Sequence, residues 1–164
     1  MPKPGKETKS EHWTKLIRSM MEEPAWRALS PTAQALYPWL KLEWRGPNNN
    51  NNGRICLSVR QAAQRLGVSD NTAAKAFHDL QAKGFIVQTE TPCLGVNGAA
   101  RGAMYELTEL ASSKQDNPAG RKLYKTWTKG SDFPIKIARA NNPHGRNGKT
   151  KPHRKKEDVT SSNL

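Results

Sequence analysis

The side chains able to do acid–base, nucleophilic or metal chemistry are few in this sequence and are not grouped. His12, His78, His144 and His153 have no Cys, Asp or Glu at ligand spacing, and Cys56 and Cys93 match no zinc pattern. There is no phosphate loop and no Ser-His-Asp arrangement, so no catalytic residue, metal or cofactor is expected. What does cluster is a set of hydrogen-bonding and charged side chains. Asp70, Asn71, Thr72, Lys75 and Asp79 follow Ser69 closely, with Arg54, Arg60 and Arg65 shortly before and Arg101 after. Such a set suits recognition of an anionic surface rich in donors and acceptors.

The charge balance points to the same kind of partner. The 164 residues carry 27 Lys+Arg against 14 Asp+Glu, a formal net charge of +13. Residues 1–110 hold 14 cations and 10 acids, whereas residues 111–164 hold 13 and 4, so the excess sits in the last third. A polyanion is the natural partner. No apolar run approaches the roughly 20 residues that a membrane helix needs. The start, MPKPGKETKSEHW, lacks the apolar core of a secretory signal, so a cytoplasmic protein is expected. Two cysteines supply no disulfide framework.

Periodicity and caps give the elements that must position the cluster. Trp13, Leu16, Ile17, Met20 and Met21 recur at helical spacing before Pro24, which predicts an amphipathic helix. Its apolar stripe is a candidate homodimer interface, or it packs on the chain's own core. Ser30-Pro31 starts a second helix, with Ala33, Leu36, Tyr37, Leu40 and Trp44 on one face and Pro38 expected to kink or bound it. Gly46-Pro47, Asn48 to Asn52 and Gly53 read as a polar surface loop with no side chain suited to packing, whose length is free to vary. Arg54-Ile55-Cys56-Leu57 reads as a short strand. Ser58 with Gln61 forms a capping box for a helix ended by Gly67, and Ser69 caps another, closed by Gly84. Residues 85–89 (FIVQT) and 104–108 read as strands around a Gly-rich connection. The expected class is α+β: a helical bundle with a small antiparallel β-hairpin, followed by a basic disordered tail. The divisions are a flexible N-terminus (1–11), a domain (12–110), a partly ordered C-terminal extension (111–139) and the tail (140–164). Within the extension, Tyr124, Trp127, Phe133, Ile135 and Ile137 are able to dock on the domain. From residue 140 on, low hydrophobicity and high charge cannot offset chain entropy.

The segment QAAQRLGVSDNTA (61–73) combines four requirements of a helix-turn-helix. Ala63 is the small residue at the helix crossing, Gly67 permits the sharp turn, Val68 plugs the core, and Ser69 caps the second helix. With the hairpin that follows, LSVRQAAQRLGVSDNTAAKAFHDLQAKGFI resembles the winged helix-turn-helix superfamily in its GntR and MarR repressor pattern. The wider stretch over about residues 20–110, from EEPAWRALSPTAQALYPWL to RGAMYELTEL, is similar to plasmid- and phage-type winged-helix proteins of proteobacteria related to replication initiators.

The resemblance implies sequence-specific binding of double-stranded DNA by a recognition helix (69–83) and a wing (91–103). The protein is then a transcriptional regulator of a bacterial chromosome or mobile element; the alternatives are a replication initiator or an RNA- or protein-binding winged helix. The first turns of a recognition helix meet base edges in the major groove. Asn71 suits an adenine edge, Thr72 a thymine methyl or a phosphate, and Lys75 a guanine or a phosphate. Asp70 reads as either a groove contact or a first-turn acid favoured by the helix dipole. Arg54, Arg60 and Arg65 are candidates for phosphate neutralisation, with ordinary surface charge as the alternative. Arg101, on a wing made flexible by Gly95, Gly98 and Gly102, suits a narrow minor groove or a phosphate. Lys149, Lys151, Arg154, Lys155 and Lys156 either add phosphate affinity or simply solubilise the tail. No small-molecule ligand is evident.

Overall fold

Four aromatic rings from distant parts of the chain meet at the centre of the structure. Trp26, Tyr37 and Phe85 pack edge to face with centroids 5.5–5.6 Å apart, and Tyr124 stacks on Phe85 at 4.9 Å. These are the separations at which aromatic pairs contribute beyond simple burial. The computed structural model describes residues 11–92, 102–113 and 119–137. In chain order its elements are α1 (Arg18–Met21), α2 (Pro24–Arg27), α3 (Pro31–Leu42), β1 (Ile55–Cys56), α4 (Val59–Leu66), α5 (Asp70–Ala82), β2 (Ile86–Glu90), β3 (Met104–Leu107) and a 3-10 turn (Leu123–Lys125). The class is α+β, with one three-stranded antiparallel sheet in the order β1-β3-β2. Ile55 and Gln88 both pair with Tyr105, on opposite sides of β3, and the β2 register slips between Gln88 and Glu90. No helix among the described residues is long and apolar enough to cross a membrane.

The three longer helices begin where a local cap dictates. Ser30 accepts from the Ala33 amide and precedes Pro31, so α3 starts there, and it continues through Pro38 to Leu42. Its buried face, Ala33, Leu36, Tyr37 and Leu40, packs against α4 and α5. The α5 helix lies between α3, α4 and β2, burying Ala73, Ala76, Phe77 and Leu80, with Phe77 stacked on Tyr105 of β3.

Two departures from the sequence reading have physical causes. The helix expected over residues 13–21 is only the single turn α1; residues 11–17 are not helical. Lys41 Nζ donates to the Lys15 carbonyl, so that carbonyl is engaged from outside its own segment. The supposed stripe is therefore not a helix face: Met20 is buried, whereas Trp13 is 74% exposed.

The Asn run is the second departure. Asn52 is fully buried and donates to the Leu107, Leu110 and Ala111 carbonyls at 2.9–3.1 Å, while the Leu107 amide donates to its Oδ1 at 2.7 Å. Asn50 accepts from Trp44 Nε1, and Asn51 bridges the Arg45 amide and the Glu43 carbonyl. Only Asn48 and Asn49 are exposed. The loop is thus a polar clamp between the end of α3 and the end of β3, and its spacing is fixed.

Glu109, just past β3, is buried as well. Lys41 Nζ donates to both its oxygens at 2.9–3.0 Å and the Tyr37 hydroxyl donates at 2.8 Å. The described C-terminal residues then close the core. The Lys122 amide donates to the Thr108 carbonyl, the Phe133 amide to the Ala82 carbonyl, and Tyr124 and Trp127 are buried. Gly84, in the left-handed region (φ 76°), makes room for this: a Cβ there would meet the Phe133 ring at 2.7 Å.

Two outcomes follow. Asn52→Ala leaves several buried groups unpaired, at about 1–3 kcal/mol per group. Urea denaturation should show a loss of at least about 3 kcal/mol for Asn52→Ala, against within about 0.5 kcal/mol for Asn48→Ala. Stability should also fall in alkali. Burial, reinforced by the Glu109 charge, raises the Tyr37 pKa well above its ordinary 10, and burial first of all pushes Tyr105 and Tyr124 up to about 12. The unfolded chain then loses these protons before the native one, so stability is complete below pH 10 and declines as pH rises through 12. Tyr105→Phe should make that decline shallower in denaturation curves taken at successive pH values.

Candidate nucleic-acid interface

Local chemistry builds the α4–turn–α5 unit. Ser58 accepts from the Gln61 amide while Gln61 Oε1 accepts from the Ser58 amide, a reciprocal capping box. At the other end, Gly67 takes left-handed angles (φ 67°, ψ 33°) and the Val68 amide donates back to the Ala63 carbonyl, turning the chain sharply. Val68 packs on the core. Ser69 caps α5 by accepting from the Thr72 amide at 3.2 Å, and its hydroxyl also pairs with the Thr72 hydroxyl at 2.9 Å.

With its core face fixed, α5 leaves Asp70, Asn71, Thr72 and Lys75 exposed. Asn71, Lys75 and the half-buried His78 follow at i, i+4 and i+7, along one line of the helix surface. Asn71 and Lys75 have no side-chain partner among the described residues, and neither do Arg54, just before β1, and Arg60, in the first turn of α4. Asp70 lies in the first turn of α5, where the helix dipole favours an acid. A small cavity of about 170 Å³ brings the start of α4 (Ser58, Val59) together with Ala74 and His78 of α5 and with Pro92, Gly102 and Ala103 at the base of the β2–β3 connection. The base of the expected wing therefore lies beside the outer part of α5.

No protein-family model matches this chain, and no curated protein or solved structure matches it significantly. The residues themselves carry the functional argument.

Two charged groups of the cluster are committed inside the molecule. With Ala73, Ala76, Phe77 and Leu80 toward the core, helical spacing predicts an outward Asp79, but its Oδ2 accepts from the Ser30 amide at 2.7 Å and its Oδ1 pairs with Lys83 at 3.1 Å, which joins α5 to the start of α3. Arg65 pairs with Glu43 at 2.6 Å and lies over the Trp39 ring at 5.3 Å, which joins α4 to α3. Arg101, Gly95, Gly98 and the lysines and arginines of residues 140–164 lie outside the described residues. Among the described residues no three His, Cys, Asp or Glu side chains come together as a metal site. Sequence reading missed Lys136, whose amide donates to Gln81 Oε1 of α5 and whose Nζ donates to the Gln88 carbonyl of β2; no local pattern marks such a tertiary contact.

Arg65→Ala should therefore act on stability. Losing one partly exposed ion pair and one cation–π contact costs about 1 kcal/mol, whereas Arg60→Ala should remain within about 0.5 kcal/mol of the parent. Urea denaturation of both variants checks the contrast.

Proposed function

We propose that the chain is a winged-helix protein that binds double-stranded DNA sequence-specifically, as a transcriptional regulator acting in the bacterial cytoplasm. In this reading α5 is the recognition helix and the β2–β3 connection is the wing. The observation that carries it is the capped α4–turn–α5 unit. Its second helix offers Asn71, Thr72 and Lys75 from its first two turns, while Arg60 in the first turn of α4 and Arg54 just before β1 hold no side-chain partner among the described residues. Base edges in the major groove are read by residues at the start of such a helix, and Asn matches the donor and acceptor of adenine. Support also comes from the resemblance of residues 20–110 to winged helix-turn-helix repressors and from the net charge of +13. Arg54 and Arg60 neutralise phosphates, and the basic residues 140–164 add affinity that does not depend on sequence. Arg65 acts at one remove, by holding α4 against α3. Asp70 favours the helix start and disfavours a phosphate at that position, which sharpens the choice of docking register.

Selection of a preferred duplex from a random library, followed by titration, tests this. Asn71→Ala should cost about 1–3 kcal/mol on the selected site and relax one base position. Deleting residues 140–164 should flatten the salt dependence and preserve the preference. An unchanged ratio of selected to scrambled affinity in Asn71→Ala would remove α5 as the base reader.

A further inference from the structure

A cavity roomier than the one beside α5 lies away from α4 and α5. It measures about 660 Å³, within the 300–1,000 Å³ typical of small-ligand sites, and four separate stretches of chain line it: 12–19, 41–46, 109–110 and 122–125. Its walls include the indoles of Trp13 and Trp44, and its cations include Lys15, Arg45, Lys122 and Lys125. None of these four cations has a side-chain partner among the described residues. Among the described residues the one carboxylate lining the cavity, Glu109, already accepts from Lys41 through both oxygens and from Tyr37. The charge of the lining is therefore strongly positive and uncompensated.

The walls are also held in place. The Trp44 indole N–H donates to Asn50 Oδ1, and Asn50 in turn donates to the Ala111 carbonyl. Lys122 is the only non-glycine residue with positive φ among the described residues (φ 47°). Strained backbone is kept where the surroundings over-determine it, commonly at ligand sites. Trp13, 74% exposed, is an indole with an unused face. An occupant must then present several negative charges to the lysines and a flat apolar surface to the indoles. Residues 1–10 do not fit, since they carry Lys3, Lys6 and Lys9 against Glu7 alone.

We propose that this cavity binds a free nucleoside phosphate, with its base against Trp13 and Trp44 and its phosphates on Lys122, Lys125, Lys15 and Arg45. Such a molecule uses both chemistries the lining offers: stacking on an indole is insensitive to the identity of the base, and cations suit a phosphate chain. This site is independent of the DNA-binding reading.

Isothermal titration calorimetry of the full chain with ATP and with GTP tests it, using adenosine, guanosine and inorganic triphosphate as comparators. At least one nucleotide should bind with a stoichiometry of one. Trp13→Ala, at an exposed position, and the double variant Lys122→Asn/Lys125→Gln should each weaken it about tenfold or more. Asn is chosen because it tolerates the left-handed backbone at 122. Nucleosides and triphosphate alone should bind at least about tenfold more weakly, and Asn71→Ala should bind as the parent does. Absence of saturable binding at millimolar nucleotide overturns the proposal. So does binding that either cavity variant leaves unchanged, or triphosphate binding as tight as that of the nucleotides, which would mark general attraction to a cationic chain.

Discussion

Glu109 places a carboxylate in the interior, and much of the fold is arranged to hold it there. Its side chain is 4% exposed and that of its partner Lys41 is 5% exposed. An unpaired buried carboxylate costs far more than a marginal domain can supply, so the cation and the Tyr37 hydroxyl are required. Meeting that requirement fixes the C-terminal end of α3, which carries Tyr37 and Lys41, against the segment leaving β3. Lys41 uses a further proton to hold the Lys15 carbonyl, which draws residues 11–17 across the same place. Asn52 works beside this pair by satisfying three carbonyls of the same segment. With the end of β3 pinned on two sides, Tyr37 and Phe85 are in reach of Trp26 and Tyr124, and the aromatic centre closes.

From that centre the α4–turn–α5 unit inherits its position. Phe77 and Leu80 of α5 are buried, Phe77 against Tyr105 of β3, and Asp79 ties the helix to the start of α3. The helix is anchored along its core face and toward its C-terminal half, which leaves the first two turns exposed. A helix held in this way presents Asn71, Thr72 and Lys75 at little further entropic cost, since the backbone beneath them is already ordered. The Arg65–Glu43 pair and the Arg65–Trp39 contact do the same for α4.

How far the sequence reveals this depends on the range of each interaction. Capping is local: Ser30, Ser58 and Ser69 each bond to an amide three residues on, so the starts of α3, α4 and α5 can be read directly, as can the turn at Gly67. The strands beginning near Ile55, Ile86 and Met104 are legible for a similar reason, through β-branched content and alternation. The extended path of residues 11–17 is not legible, because a contact from Lys41 opposes a sound helical periodicity. Nor is the clamp, because Asn52 bonds across 55 residues or more and nothing local separates it from Asn48. At the candidate interface, the exposure of Asn71 and Lys75 follows from helical spacing, whereas the diversion of Arg65 and Asp79 depends on partners in or just before and after α3. The cationic cavity is drawn from four stretches and has no sequence signature at all.

The central proposal is that α5 meets DNA through its first two turns. Two-dimensional amide NMR of the full chain, titrated with the selected duplex, tests it most directly. Outside residues 140–164, the largest shifts are predicted at residues 58–61 and 69–75 and in the β2–β3 connection, with little change around Trp13, Trp44 and Lys122. Saturable DNA binding whose shifts bypass residues 69–75, or centre on the cavity instead, would contradict the proposal.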